Sequence, residues 1–195
     1  MPSMSVIERT FCRSHPWHLV ANRVILPWAL QGVRPEGDLL ELGAGSGAMA
    51  AATSDRFPDL QVTVTDIDPI MVQVARRRLA DQPRVTVQEA DVTSLPFDDE
   101  SFDHVASYLM LHHVIDWQRA LTEAARVLRP GGALVGYDLT DTRAARLIHW
   151  ADRSPHQLVA AEDFAPALTD AGFDRVAVQI GFHGHVVRFT AHQPR

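Results

Sequence analysis

The passage from Leu39 to about Arg56 narrows the folding options most: a short apolar run ends directly on Gly43, Gly45 and Gly47, and an alanine-rich stretch follows. Closely spaced glycines let the chain turn tightly after a strand, and alanine is the strongest helix former, so the passage reads as strand, tight turn, helix. The alternation continues downstream. Gln61 to Thr65 is dense in β-branched residues and stops at Asp66, after which Asp68 and Pro69 look like the cap and first position of a helix reaching about Ala80. Arg84 to Gln88 is a third strand and Phe102 to Ser107 a fourth, separated by the turn-rich stretch Leu95 to Ser101. From Trp117, the residues Ala120, Leu121, Ala124, Ala125 and Leu128 recur at helical spacing until Pro130, Gly131 and Gly132 stop the helix. Ala133 to Tyr137 is a fifth strand. Strands alternating with helices predict an α/β fold: a parallel sheet with helices on both faces.

The two ends read differently. Ser14 to Leu30 has the pattern of a helix, with Pro16 tolerable in its first turn and Pro27 expected to kink or end it, before Gly32, Pro35 and Gly37 break the chain. Near the other end, Phe164 to Ala171 reads as helix, and Arg175 to Ile180 and His185 to Thr190 as strands joined through Gly181 and Gly184. So short a connection requires an antiparallel hairpin. A chain of 195 residues without repeats predicts one domain.

Composition removes several function classes. The 18 cationic side chains are all arginine, which excludes a P-loop lysine, a Schiff-base lysine and a Tyr-x-x-x-Lys dehydrogenase pair. Net charge is -6, and the one basic block, Arg76 to Arg78, looks like a solvated helix face, so no nucleic-acid partner is expected. Cys12 is the only cysteine, leaving no internal disulfide and no cysteine-rich zinc site. His183 and His185 share one face of a strand, but no third ligand is evident and no metal is expected. No apolar run approaches the ~20 residues that cross a bilayer, and the N-terminus lacks a secretory pattern, which predicts a cytoplasmic protein without membrane insertion.

In an open α/β sheet, ligands sit beyond the carboxyl ends of the strands, against the glycine-rich first turn. Here that turn is Glu41-Leu42-Gly43-Ala44-Gly45-Ser46-Gly47-Ala48. It also satisfies the relaxed dinucleotide pattern, and Asp66, at roughly the ~20-residue distance expected, suits a ribose in either case. Charge separates the two readings. Glu41 would repel a pyrophosphate but attract the methionine end of S-adenosyl-L-methionine, which carries an ammonium and a sulfonium and no phosphate. Asp91, just past the third strand, offers an acceptor for the adenine amino group, with the Val92 backbone N–H available to a ring nitrogen. Asp68 reads first as a helix cap and is kept in the candidate cofactor set.

These residues resemble class I S-adenosylmethionine-dependent methyltransferases, in particular the small-molecule branch that includes the ubiquinone and menaquinone biosynthesis methyltransferases. The resemblance covers roughly Asp38 to Gly136. It rests on Leu40 to Gly47, on Val64-Thr65-Asp66-Ile67-Asp68-Pro69, and on Ala90-Asp91 followed by Leu95-Pro96-Phe97 and Ser101-Phe102-Asp103. Leu111-His112-His113-Val114 and Arg126-Val127-Leu128-Arg129-Pro130-Gly131-Gly132 complete it. The resemblance implies a Rossmann-like three-layer sandwich whose seven-stranded sheet is mostly parallel, with strand seven antiparallel and supplied by the final hairpin. It implies that Glu41 with Gly43, Ala44, Gly45, Ser46 and Gly47 holds the methionine part, Asp66 the ribose, Ile67 the adenine face, and Asp91 with Val92 the adenine edge. Ser107 and Tyr108 would lie beside the sulfonium.

Methyl transfer from a sulfonium is an in-line displacement, so alignment supplies most of the catalysis and a base is optional. Where a proton must leave, histidine is the usual group near neutral pH. His112 and His113, which follow the fourth strand, are with Tyr108 the catalytic candidates. His15, Trp17 and His18 on the first helix are candidates for covering the acceptor. The expected division is a helical cap over 1–36, a cofactor-binding core over 37–138, and a short helical segment around Ala144 to Trp150 with the hairpin over 139–195. The expected partner is a small-molecule methyl acceptor, and the expected state a monomer or homodimer. The competing readings are an NAD(P)-dependent oxidoreductase and a non-catalytic S-adenosylmethionine-binding module.

Overall fold

In the computed structural model, residues 20–143, 146 and 157–195 are described. Cys12, His15, Trp17, His18, the start of the helix expected from Ser14, and the segment expected around Ala144 to Trp150 therefore lie outside the described residues, Arg146 alone excepted.

Seven strands form one sheet: β1 (Asp38–Leu42), β2 (Gln61–Asp66), β3 (Val85–Glu89), β4 (Phe102–Tyr108), β5 (Leu128–Leu139), β6 (Asp174–Gly181) and β7 (Val186–His192). Their order is β3-β2-β1-β4-β5-β7-β6. The first five are mutually parallel, and β7 runs antiparallel to both β5 and β6. Among the described residues the α-helices are α1 (Leu26–Leu30), α2 (Ala48–Arg56), α3 (Pro69–Arg78), α4 (Trp117–Val127) and α5 (Ala161–Asp170).

The central strands are buried on both faces, which is why β1 reads as a continuous apolar run rather than an alternating one. On one face, Leu39, Val62, Val64, Ala106 and Val135 pack with α1, α2 and Ala75 of α3. On the other, Leu40, Leu42, Val105 and Leu134 pack with α4 and α5. There Phe164 of α5 stacks on Phe189 of β7 (centroids 5.5 Å apart) and lies 5.4 Å from Trp117 of α4. The result is the expected three-layer sandwich with an antiparallel C-terminal hairpin.

Local signals start the helices. The Asp68 carboxylate accepts the Ile70 N–H at 2.8 Å and Pro69 occupies the first turn of α3, where its missing N–H costs nothing. Asp116 accepts the Arg119 N–H at 3.3 Å and starts α4. Pro27 does not stop its helix: a π-turn over Ala21–Ile25 passes into α1, in which Pro27 sits in the first turn, and the helix ends at Gln31 in the left-handed region (φ 52°).

β5 departs from expectation. It begins at Leu128, not Ala133, because Leu128 pairs with Phe102 and the Pro130-Gly131-Gly132 backbone exchanges hydrogen bonds with Gln193 beyond β7. Helix α5 begins three residues before the expected Phe164, with Glu162 and Asp163 in its first turn.

Candidate functional site

Strand order reverses between β1 and β4, since β2 and β3 lie to one side of β1 while β4 and β5 lie to the other. At such a switch point the connections on the two sides leave toward opposite faces, opening a crevice at the carboxyl ends. The loop after β1 and the turn after β4 form its walls, and they touch. Gly43 has φ +58°, and a Cβ there would lie 2.8 Å from the terminal methyl of Met110, so glycine is required by both conformation and space.

Glu41, Asp66 and Asp91 end β1, end β2 and follow β3, so the three acids line adjacent tips along one edge of the sheet. Glu41 is 1% exposed, with its Oε2 unpartnered among the described residues. Burial pushes its carboxyl group up to about 8 against the opposing Ala50 backbone N–H from the first turn of α2. This corrects the charge argument from sequence. Below about pH 8 the ligand-free protein holds Glu41 protonated, so it does not stand as a repelling anion; it stands as a buried carboxyl group that gains its charge when a cation arrives.

Asp66 is half-buried, and burial raises it, opposed by the backbone N–H groups of Asp68 and Gly45. Its Oδ2 accepts from Gly45 N at 2.8 Å and its Oδ1 from Asp68 N at 2.9 Å. Each carboxylate oxygen has a second lone pair, so both retain capacity for a hydroxyl donor. Ile67 is half-buried beside it. Asp68 acts as the cap of α3. The Asp91 Oδ1 accepts from Thr93 N at 2.9 Å and Thr93 Oγ1 at 2.7 Å, an Asx-turn that fixes the tip of β3; Val92 is buried.

The glycine loop is held partly by its own backbone. Ala44 N donates to Thr65 O, Gly45 N to Asp66, Gly47 N to Ala44 O, and Ala50 N to Glu41. A pyrophosphate at a helix N-terminus needs such N–H groups free. Those four are engaged within the protein, and the crevice also presents acceptors. Ser46 is buried within the loop.

At the tip of β4, the Ser107 hydroxyl and the Tyr108 phenol are buried without hydrogen-bond partners among the described residues. Burial, then the proximity of Glu41 and of Tyr137, raises Tyr108 well above its ordinary value. Strand alternation places Tyr108 with Glu41 on the α1/α2 face and Ser107 on the α4/α5 face. Tyr108, Tyr137 and Trp28 form an aromatic row, with centroid separations of 5.8 and 5.5 Å. Beyond Tyr108, a single 3-10 turn (Leu111–His113) carries His112, which is buried, and His113, which is half-buried, their rings 4.0 Å apart.

One residue was missed from sequence. Asp138, near the end of β5, is fully buried and its Oδ1 meets His112 Nδ1. The signal was available, because an acid directly past a strand had been the criterion for Glu41, Asp66 and Asp91. Among the described residues, no cluster of three metal-ligating side chains occurs and no helix is long and apolar enough to cross a membrane.

Residues 40–136 match the family model described as methyltransferase domain. The chain is 40% identical over 119 residues to a demethylmenaquinone methyltransferase of Clavibacter sepedonicus, covering 61% of this chain and 45% of that protein. It is 31% identical over 170 residues to a ubiquinone/menaquinone biosynthesis C-methyltransferase of Bordetella parapertussis, covering 74% of this chain and 66% of that protein. This chain spans about half the length of the first relatives it matches. Phosphoethanolamine N-methyltransferase 2 of Haemonchus contortus, solved with S-adenosyl-L-methionine, shares the fold with a TM-score of 0.78 at 19% identity, over 96% of this chain and 57% of that one.

Proposed function

Because this chain belongs to the methyltransferase-domain family, we propose that it binds S-adenosyl-L-methionine in the crevice beyond β1 to β4 and directs its methyl group to a small-molecule acceptor. The observation that carries this reading is the polarity of the crevice. Among the described residues Glu41 Oε2, Ser107 Oγ and Tyr108 OH are buried and unpartnered, Asp66 and Asp91 stand at the neighbouring tips, and the Ala44, Gly45 and Gly47 N–H groups are engaged. An acceptor-rich site of that kind suits a ligand bearing an ammonium, a sulfonium and ribose hydroxyls.

Glu41 and the loop Gly43, Ala44, Gly45, Ser46 and Gly47 would hold the methionine part, and Asp66 the ribose hydroxyls. Ile67 would cover the adenine, and Asp91 and Val92 its edge, with Asp68 keeping the start of α3 in place. Ser107 and Tyr108 would flank the sulfonium. The bound cofactor supplies an electrophilic methyl carbon; the chain's task is to align an acceptor behind it and exclude water. An ammonium against Glu41 favours its ionised form, so binding below about pH 8 releases a proton. Tyr108 stays a hydroxyl at neutral pH and orients rather than abstracts. His112 and His113 are the groups able to move a proton.

The reading assigns residues 1–36 to a cap, 37–138 to the cofactor core and 139–195 to acceptor-side segments, in a cytoplasmic protein acting as monomer or homodimer. The quinone-pathway names of the relatives support a small acceptor. Titration calorimetry tests the cofactor: S-adenosylmethionine should bind in the micromolar range, and Glu41→Ala or Asp66→Ala should weaken it by roughly tenfold or more with the circular dichroism unchanged. Binding of a nicotinamide dinucleotide but not of S-adenosylmethionine overturns the reading. Tritium transfer from labelled cofactor into a metabolite extract separates an enzyme from a binding module.

A further inference from the structure

We infer that His112 takes a proton from the methyl acceptor and that Asp138 is the residue that positions it, which restricts the acceptor to one that loses a proton on methylation, an O–H, S–H, N–H or acidic C–H group, and excludes a thioether or a tertiary amine. This rests on the methyltransferase reading above.

The argument begins with what surrounds Asp138. Its Oδ2 accepts the Leu111 N–H at 2.7 Å and the His112 N–H at 3.3 Å, and its Oδ1 accepts the Leu139 N–H at 2.6 Å and meets His112 Nδ1. A carboxylate oxygen and a bare imidazole nitrogen are both acceptors and do not face one another at hydrogen-bond distance. The hydrogen therefore lies on Nδ1, and a neutral ring then carries its lone pair on Nε2. The same carboxylate thus holds the turn after β4 by its backbone and the ring by its tautomer. Gln157 N, donating to His112 O at 2.7 Å, braces the turn from the other side.

The pair is also in the right place. Asp138 lies two residues beyond Gly136, which pairs with Ser107, so strand alternation puts Asp138 and Ser107 on one face at the carboxyl edge. The Ser107 hydroxyl, buried without a hydrogen-bond partner among the described residues, lies on that same face, at the site where the sulfonium is expected. Two other groups at the crevice, Glu41 and Tyr108, are poorly suited to remove a proton. Glu41 is on the opposite face, and burial keeps the Tyr108 proton in place.

The step balances. The acceptor X–H bond breaks, its proton passing to Nε2 and its electron pair remaining on X. X bonds to the methyl carbon as the carbon–sulfur bond breaks with its pair leaving on sulfur. One cation, the sulfonium, is replaced by another, the His112 imidazolium, which Asp138 stabilises.

Nitrogen-detected NMR of the full chain with labelled histidine reads the tautomer without any variant or acceptor. The expected result is hydrogen on His112 Nδ1, and loss of that preference in Asp138→Asn, which retains an acceptor for the Leu111 N–H. Calorimetry should show S-adenosylmethionine affinity retained in Asp138→Asn and His112→Gln, while labelled methyl transfer into a metabolite extract falls about 100-fold or more in both. The labelled product should carry its new methyl on an atom that bore a hydrogen in the acceptor. Hydrogen on Nε2 in the parent, undiminished transfer by His112→Gln, or a product methylated on a thioether or a tertiary amine overturns the proposal. Absence of S-adenosylmethionine binding by the parent instead brings down the functional reading beneath it, and the calorimetry tells the two failures apart.

Discussion

Burial keeps the Glu41 proton on until about pH 8, whereas the unfolded chain releases it near the ordinary carboxyl value of 4.5. Between those limits the folded state binds more protons than the unfolded one, so stability falls as pH rises, and the contribution present below about 4.5 is gone above about 8. Glu41→Gln keeps the shape and removes the titration. Its melting temperature should exceed that of the parent at pH 8 by about 3 °C or more and converge with it toward pH 5, while S-adenosylmethionine binding weakens. Circular-dichroism melts across that range check both signs. A carboxyl group that costs stability yet sits at the centre of the crevice has a role in binding rather than in folding. The sequence placed Glu41 at the end of the first strand but assigned it a standing charge, because depth of burial is a tertiary property and adjacent residues do not reveal it.

At the level of elements, most of the fold was legible because its signals are local. The β-branched run in β2, the Asp68-Pro69 start of α3 and the Gly43 to Gly47 turn each act within a few residues. What was misread depends on distant partners. Pro130-Gly131-Gly132 looks like a break, yet Gln193, far along the chain, supplies the backbone partners that make it strand. Asp138 stands just past the expected fifth strand, but its partner His112 emerges only when β4 and β5 come together. Two substitutions probe the elements. Asp68→Ala removes a cap that accepts a single N–H and should cost about 0.5–2 kcal/mol in urea unfolding, with S-adenosylmethionine affinity little changed. Gly136→Ala should cost more, about 1–3 kcal/mol or failure to fold. Its Cβ would lie 2.2 Å from the Ser107 carbonyl oxygen and 2.7 Å from Phe189, contacts that only a shift of β4 from β5 relieves.

Across the whole molecule, the two helical layers share one sheet, and the crevice opens where the connections change sides. A ligand there contacts elements from both layers, so it should stabilise the domain as a unit. S-adenosylmethionine at a hundred times its dissociation constant should add about 2.7 kcal/mol and raise the melting temperature by roughly 5–10 °C, in a single transition. A dinucleotide at equal concentration should leave the melt unmoved. The contact of Met110 with Gly43 has a consequence for kinetics. A side chain resting on a residue that has none ties the two walls of the crevice together, so the glycine loop cannot settle around a ligand without also fixing where the His112 turn begins. The second molecule to arrive then meets walls already in register, and the two should enter in a compulsory sequence, with the sulfonium leading.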